Sequence, residues 1–287
     1  MRSIFITAAA GAVLLSSTAA LAQTNTPQVN PPEPEDTVFD DNYISIGVGA
    51  GLGPSYDGSD DYAVFPAPIL QGQLGGVGIS PRAAGLALDF VPDGDTMGID
   101  AGIAVRLRRN RASQIKDPVV EAAGELDTAL EVGPTVGVSF PGLLNPYDSL
   151  SLTTDVRWDV LGAHKGMVIE PSVAYFTPLS RAMAASLSVS ASYGDSKFQD
   201  YYYSVSPEQS AASGLPQFQT SGGAINKVGS SLLLGYDLDG NLQNGGFALI
   251  AVGGYSRMLG DAKDTPYTSI RGSADQWFGA LGIGYTF

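Results

Sequence analysis

Trp277-Phe278-Gly279-Ala280-Leu281-Gly282-Ile283-Gly284-Tyr285-Thr286-Phe287 ends the chain with a period of two. Trp277, Gly279, Leu281, Ile283, Tyr285 and Phe287 share one face of a strand, and Phe278, Ala280, Gly282, Gly284 and Thr286 share the other. An oily face backed by small residues suits a strand with lipid on one side and a lumen on the other.

The alternation recurs upstream. Ile44, Ile46, Val48 and Ala50 alternate with Ser45, Gly47, Gly49 and Gly51, and Ile99, Ala101, Ile103, Val105 and Leu107 alternate with Asp100, Gly102, Ala104, Arg106 and Arg108. Leu126, Thr128, Leu130, Val132 and Val136 stand against Asp127, Glu131, Thr135 and Gly137, and Val156, Trp158 and Val160 against Asp155, Arg157 and Asp159. Further strands read at 166–177, 182–194, 227–237, 246–258 and 275–287, with at least two more within 62–90. Compact turn sequences at Pro92-Asp-Gly-Asp, 141–146, 178–180 and 237–241 contrast with the longer polar segments 109–123, 195–226 and 259–274, the asymmetry of short periplasmic turns and long outer loops.

The amino terminus agrees. Arg2, an apolar run from Ile4 to Leu21 and Ala20-Leu21-Ala22 make residues 1–22 a secretory signal peptide cleaved before Gln23. No Cys follows, which excludes a lipoprotein anchor and any disulfide. Residues 23–42, with Pro27, Pro31, Pro32 and Pro34 among five acids, read as an acidic, disordered periplasmic arm, and 43–287 as one barrel domain. Removing Arg2 with the leader leaves 14 basic against 29 acidic residues, a formal charge of −15, and no basic stripe for nucleic acid. No apolar run beyond the leader reaches the 18 residues of a spanning helix. A membrane location therefore requires a closed barrel, because only helices and closed barrels satisfy every backbone polar group in lipid.

A direct count gives eleven strands, whereas a barrel with both ends in the periplasm needs an even number. Pro66, Pro68, Gly75, Gly76 and Pro81 can divide 62–90 into three crossings, so the expected fold is an antiparallel up-and-down barrel of twelve strands, with ten as the alternative. A soluble sandwich or propeller would need polar outer faces.

Asp100, Arg106, Arg108, Asp127, Glu131, Asp155, Arg157, Asp159 and Glu170 fall on the small-residue face of consecutive strands and are expected to point inward and pair. They would line a selective aqueous path or form an ion-paired plug that fills a narrow barrel, with the plug favoured because charges of both signs interleave. Gly47, Gly49, Gly51 and Gly53 read as a smooth lumen stripe rather than a dinucleotide loop. Catalysis finds little footing: His164, the one histidine, lies between Gly162 and Gly166 in a loop with no Ser and acid pair around it. One His and no Cys exclude a structural zinc site, and Asp237-Leu-Asp-Gly-Asn241 lacks the distal acid of a calcium loop. No cofactor is expected.

The terminal strand also resembles the carboxy-terminal assembly signal of bacterial outer-membrane proteins, with Tyr285 and Phe287 at its key positions. Tyr56-Asp-Gly-Ser-Asp-Asp-Tyr62 followed by Val64-Phe-Pro-Ala-Pro-Ile69, the segment Ser206–Pro216, and Tyr255-Ser-Arg-Met-Leu-Gly-Asp-Ala-Lys-Asp-Thr-Pro266 resemble the MipA/OmpV family. That resemblance implies an outer-membrane barrel of a Gram-negative bacterium, in contact with lipid and lipopolysaccharide and inserted by the barrel-assembly machinery. It also implies a non-enzymatic scaffold joining a lytic transglycosylase to a penicillin-binding protein, with a narrow porin-like channel or an adhesin as alternatives. Tyr56, Gly58, Ser59, Asp60, Asp61 and Tyr62 are then expected to stabilise a rim loop. Arg257 is expected to meet lipopolysaccharide phosphate or to pair with Asp261 or Asp264.

Overall fold

The computed structural model describes residues 37–39, 42–91 and 97–287. The leader, almost all of the acidic arm and the turn at 92–95 lie outside the described residues. The remainder is one sheet that closes on itself. Its strands are β1 (Tyr43–Pro54), β2 (Tyr62–Pro66), β3 (Ile69–Leu74), β4 (Val77–Arg82), β5 (Gly85–Asp89), β6 (Gly98–Arg108), β7 (Ala129–Pro141), β8 (Ser149–Asp159), β9 (Met167–Pro178), β10 (Met183–Gly194), β11 (Ala224–Asp237), β12 (Gly246–Met258) and β13 (Asp275–Thr286). Every pairing is antiparallel, and β13 closes the barrel on β1 from Ser45↔Thr286 to Leu52↔Gly279, the seam expected from the terminal strand.

Thirteen strands make twelve crossings. β2 and β3 pair with β1 in one continuous register, Ala50↔Pro66 above and Gly47↔Ile69 below, so they are a single crossing interrupted at Ala67-Pro68. Residues 62–90 therefore supply three crossings, and the chain returns to the end where it started. Gly75 and Gly76, at φ of 59° and 80°, make the two-residue turn between β3 and β4, a conformation that favours Gly. Three starts differ from the sequence reading, one of them that of β11 at Ala224, three residues before 227. β7 starts at Ala129, three residues after Leu126, and β8 starts at Ser149, because Ser149-Leu-Ser-Leu-Thr-Thr alternates only small hydroxyls with Leu.

The outer surface is apolar. Val48 and Leu281 are 69% and 72% exposed, and Ile46, Val136, Val189 and Leu249 are also exposed, the reverse of a soluble sheet. Aromatic rings mark both rims: Tyr255 and Trp277 at 4.9 Å near the long loops, and Phe247 and Tyr285 at 4.8 Å near the short turns. From Trp277 to Tyr285 the strand rises about 27 Å, or about 21 Å after a tilt near 40°, close to the roughly 25 Å apolar band of such barrels.

The glycine stripe of β1 is not a smooth wall. Side chains lie across it: a methyl at Gly53 would meet the Phe65 ring at 3.2 Å, and one at Gly47 would meet Ile69 Cδ1 at 3.1 Å. The glycines make room for lumen-filling apolar groups from the next crossing.

Candidate functional site

Two features of the barrel call for explanation: the interior near the long loops, and the turns at the opposite end. At the long-loop end Glu131 of β7 is fully buried and takes Arg108 of β6 on one side and Arg157 of β8 on the other, at 3.4 Å to Arg157 Nε. Arg157 also reaches Asp155 at 2.7 Å and Glu170 of β9, and Arg106 meets Glu170 at 2.6 Å. Thr135 donates to Asp155 at 2.7 Å. These are six of the nine residues expected to share the lumen.

The other three lie outside this cluster, two of them at loops and Asp100 still on the inward face of β6. Asp127 is exposed ahead of β7, its backbone N–H donating to Tyr201 Oη at 2.8 Å. The strand phase that placed it inward does not extend back to it. Asp159 ends β8 and turns to the loop, accepting from Leu161 N and Lys165 N at 3.0 Å each. Asp100 is half-buried near the other end of β6, where its carboxylate borders Gly137.

Four members of the cluster were not legible as lumen groups. Arg82, at the tip of the β4–β5 hairpin, spans to Asp155 at 3.1 Å. Asp57, in the loop after β1, accepts from Lys227 of β11 at 3.1 Å and stands 4.0 Å from Arg108. That relay runs from β11 to β6, five strand spacings apart, so it crosses the lumen rather than following the wall. His164 lies in the 160–166 loop as expected, but the loop folds inward and the ring is buried. Its Nδ1 accepts from Gly166 N at 3.1 Å, which leaves the proton on Nε2, facing Glu131 Oε1 at 3.4 Å.

Packed loops cover the cluster. α1 (Pro118–Ala122), α2 (Ser196–Tyr203), α3 (Pro207–Ser213), α4 (Gly260–Asp264) and α5 (Pro266–Ser269) come from three long loops. Asp195 caps α2 by accepting from Phe198 N, and Phe198, Tyr202 and Tyr203 then pack on Val168 of β9, Met258 of β12 and Ala262 of α4. The Phe198 ring lies 4.9 Å from the Arg108 guanidinium, so α2 sits on the ion cluster. A second apolar cluster joins Tyr56, Val120, Ala123, Val205, Leu215 and Tyr267, with buried Arg111 stacked 3.8 Å over Tyr267. Buried arginines, acids and aromatic rings thus fill the barrel mouth.

The segment from Tyr56 to Tyr62 ties this cap to the wall. Tyr56 Oη donates to Tyr267 O at 3.1 Å, Ser59 Oγ lies 2.9 Å from Ser55 Oγ and accepts from Asp61 N, and Tyr62 Oη accepts from Trp277 N at 3.2 Å. Gly58 adopts φ of 99°, and Thr268 occupies the space where a Cβ would go, so only Gly fits. Asp60 is exposed. Arg257 pairs with Asp275 on the neighbouring strand at 2.7 Å, not with Asp261 or Asp264.

Two cap carboxylates carry a pH dependence. Burial pushes Asp57 up, but Lys227 and Arg108 outweigh it and hold it below the ordinary carboxylate range. Burial likewise opposes Asp117, whose bonds from Arg271 and the N–H groups of α1 bring it down. Depressed folded-state values contribute stability that is complete above the unfolded pKa, near 3.9, and lost as pH falls through the folded values. Amide protection across 109–128 and 259–274, taken relative to the intrinsic exchange rate at each pH, is therefore expected to hold steady from pH 7 to about 5 and to fall below about pH 4, and unchanged protection down to pH 2 would refute the contribution of these acids.

At the opposite end Asp148 organises the turn between β7 and β8. Its carboxylate accepts from Leu143 N at 2.7 Å, Leu144 N at 2.9 Å, Asn145 N at 3.1 Å and Tyr175 Oη at 2.6 Å. The turn is thereby fixed with Leu143, Leu144 and Tyr147 outward, Leu144 at 82% exposure. The loop Asp237–Asn241 is a turn in which Asp237 accepts from three successive backbone N–H groups.

A closed twelve-crossing barrel with an apolar exterior, aromatic rims and long loops at one end is an outer-membrane barrel protein. The chain belongs to the family of MltA-interacting protein MipA, whose model matches residues 46–287. No curated protein matches it. Among solved structures it is similar to the COG4313 outer membrane channel from Pseudomonas putida F1, at 14% identity over 91% of this chain and 100% of that one, with a TM-score of 0.45. A Pseudomonas aeruginosa FadL homologue gives 12% identity over 86% and 90% of the two chains, TM-score 0.34. OprD from P. aeruginosa gives 9% over 89% and 97%, TM-score 0.28. Scores this low carry no argument about activity, and the barrel assignment rests on the chain's own strand ladder.

Proposed function

We propose that this barrel is an envelope scaffold with a sealed lumen, holding a lytic transglycosylase of the periplasm against the outer membrane. The observation that carries the reading is the filled mouth: Glu131 at 0%, Arg157 at 1% and Arg108 at 5% exposure leave no water-filled path among them. A barrel without such a path has its end surfaces left for function. Short turns face the periplasm in barrels of this kind, which puts the Asp148-locked turn where a murein enzyme could meet it. The family's printed description names a partner of that type. Apolar residues held outward on a fixed turn suit a protein interface, since no ordering cost remains to be met on binding. Residues 23–42 would extend that surface with their acidic charge, and a penicillin-binding protein would be the second enzyme brought to it.

Co-purification from detergent-solubilised membranes tests the reading. Leu144→Asp is expected to lower transglycosylase capture at least tenfold while the barrel keeps its heat-modifiable migration, and deleting 23–42 to weaken capture further. Full capture by Leu144→Asp together with the arm deletion would sink the proposal.

A further inference from the structure

The barrel wall is incomplete beside β2. Among the described residues β2 is paired to β1 alone, and the β3–β4 ladder stops after three rungs at Gly72↔Ile79. The β4–β5 hairpin turns back at Arg82↔Gly85, and its tip is held by the Arg82–Asp155 pair across the lumen rather than by β2. Ala67 N donates to Gly49 O at 3.0 Å, which fixes the phase of the crossing: residues 62, 64, 66 and 68 turn their edge groups away from β1, toward the gap. Tyr62 O is bonded there by Lys116 Nζ from the cap. Pro66 and Pro68 have no N–H to leave open, the usual place for Pro at an unpaired edge. Val64, 66% exposed on the outer surface, shows that this edge lies within the apolar band, on the rungs between Trp277 and Leu281. An unpaired edge at that depth is tolerated where it is buried in protein or lines a cavity that holds water.

Behind the gap the lumen is apolar. Phe65 and Ile69 stand on the two halves of the interrupted crossing itself and lie over Gly51, Gly53, Gly47 and Gly282. Phe278 adjoins them, its Cβ 3.5 Å from where a Gly53 methyl would be. Arg82 stands on the other side of the gap, a quarter exposed, with Nε on Asp155 and Nη1 on Pro81 O, so further guanidinium N–H groups remain to be used.

An opening to lipid, an apolar bed inside it and a quarter-exposed cation at its rim define a ligand with a hydrocarbon tail and an anionic head. We propose that the gap between β2 and the β4–β5 hairpin is a lateral port that admits a single-chain carboxylate amphiphile from the outer leaflet onto Phe65, Ile69 and Phe278, with Arg82 meeting its head group. This site is separate from the turn surface assigned to the scaffold, and either can stand without the other.

The test uses the full-length mature barrel in nanodiscs with dodecanoate as the probe. Saturable binding is expected, weakened at least tenfold by Phe65→Asp. Arg82→Gln is expected to weaken dodecanoate severalfold while leaving dodecanol unchanged, a distinction that a general loss of packing would not produce. Should Phe65→Asp not fold, judged by heat-modifiable migration, Ile69→Ser carries the same expectation. Because the chain has no Cys, a nitroxide at Ala63→Cys can be compared with one at Ser188→Cys, which faces inward on the intact wall. Oxygen dissolved in the bilayer is expected to relax the label at 63 at least threefold faster. Absence of saturable dodecanoate binding, unchanged affinity in both apolar variants, or equal oxygen relaxation at the two positions would overturn the port.

Discussion

Glu131→Gln is expected to cost the barrel about 3–5 kcal/mol, the largest effect of any single substitution in the lumen. Glu131 is the acid between two buried arginines, with Arg108 donating to both of its oxygens and Arg157 Nε 3.4 Å from Oε2. Gln keeps the shape and removes the charge, so two guanidinium groups stay buried with less than their full complement of acids. Burying a charge that has lost its partner is what makes such deletions expensive, whereas a paired cluster contributes little net stability against an apolar filling of the same volume. Replacing exposed Asp60 by Asn is the control and should change stability by less than about 0.5 kcal/mol. Urea unfolding of the two variants in lipid measures the difference, and a Glu131→Gln barrel within 1 kcal/mol of the parent would mean that water reaches the cluster.

The second large effect concerns the cap. Replacing residues 197–221 by a short Gly-Ser linker is expected to turn a silent barrel into one that conducts in discrete steps. α2 carries Phe198, Tyr202 and Tyr203 from β9 across to β12 and lays Phe198 over Arg108. Without it the Arg108, Glu131 and Arg157 side chains become wet, and their mutual bonds weaken as the local dielectric rises. The freed interior is lined by arginines and acids, so replacing Arg106 by Glu as well should shift its selectivity toward cations, and a bath at pH 3, which protonates the acids, should shift it toward anions. Continued silence of the loop-deleted barrel would show that the ion pairs alone close the lumen.

Much of this architecture is legible in the sequence, for physical reasons that differ along the chain. Where one face meets lipid, the period of two is enforced at every rung, which is why Trp277–Phe287 and Ile99–Arg108 announce both their strands and their inward residues. The parity of the crossings then requires three strands in 62–90, although nothing in the residues shows that the first is interrupted at Ala67-Pro68. The cluster is only partly visible. Arg106, Arg108, Glu131, Asp155, Arg157 and Glu170 sit on well-phased strands, but Asp57 and His164 come from loops, where no periodicity states direction. Asp127 stands outside the lumen for a different reason, since the alternation of 126–128 continues a strand pattern that the backbone takes up only from Ala129. Phe198-Gln-Asp-Tyr201-Tyr202-Tyr203 in a segment otherwise read as polar was the available signal for the cap: four aromatic rings within six residues are costly to leave in water.

An ion-paired cluster under a packed cap should seal the lumen at its long-loop end. Single-channel recording of the intact mature barrel in planar bilayers at pH 7 tests it most directly. No conductance steps above the bilayer leak are expected across ±100 mV, with steps appearing once residues 197–221 are removed. Stable, ohmic openings of the intact barrel at low voltage would contradict it.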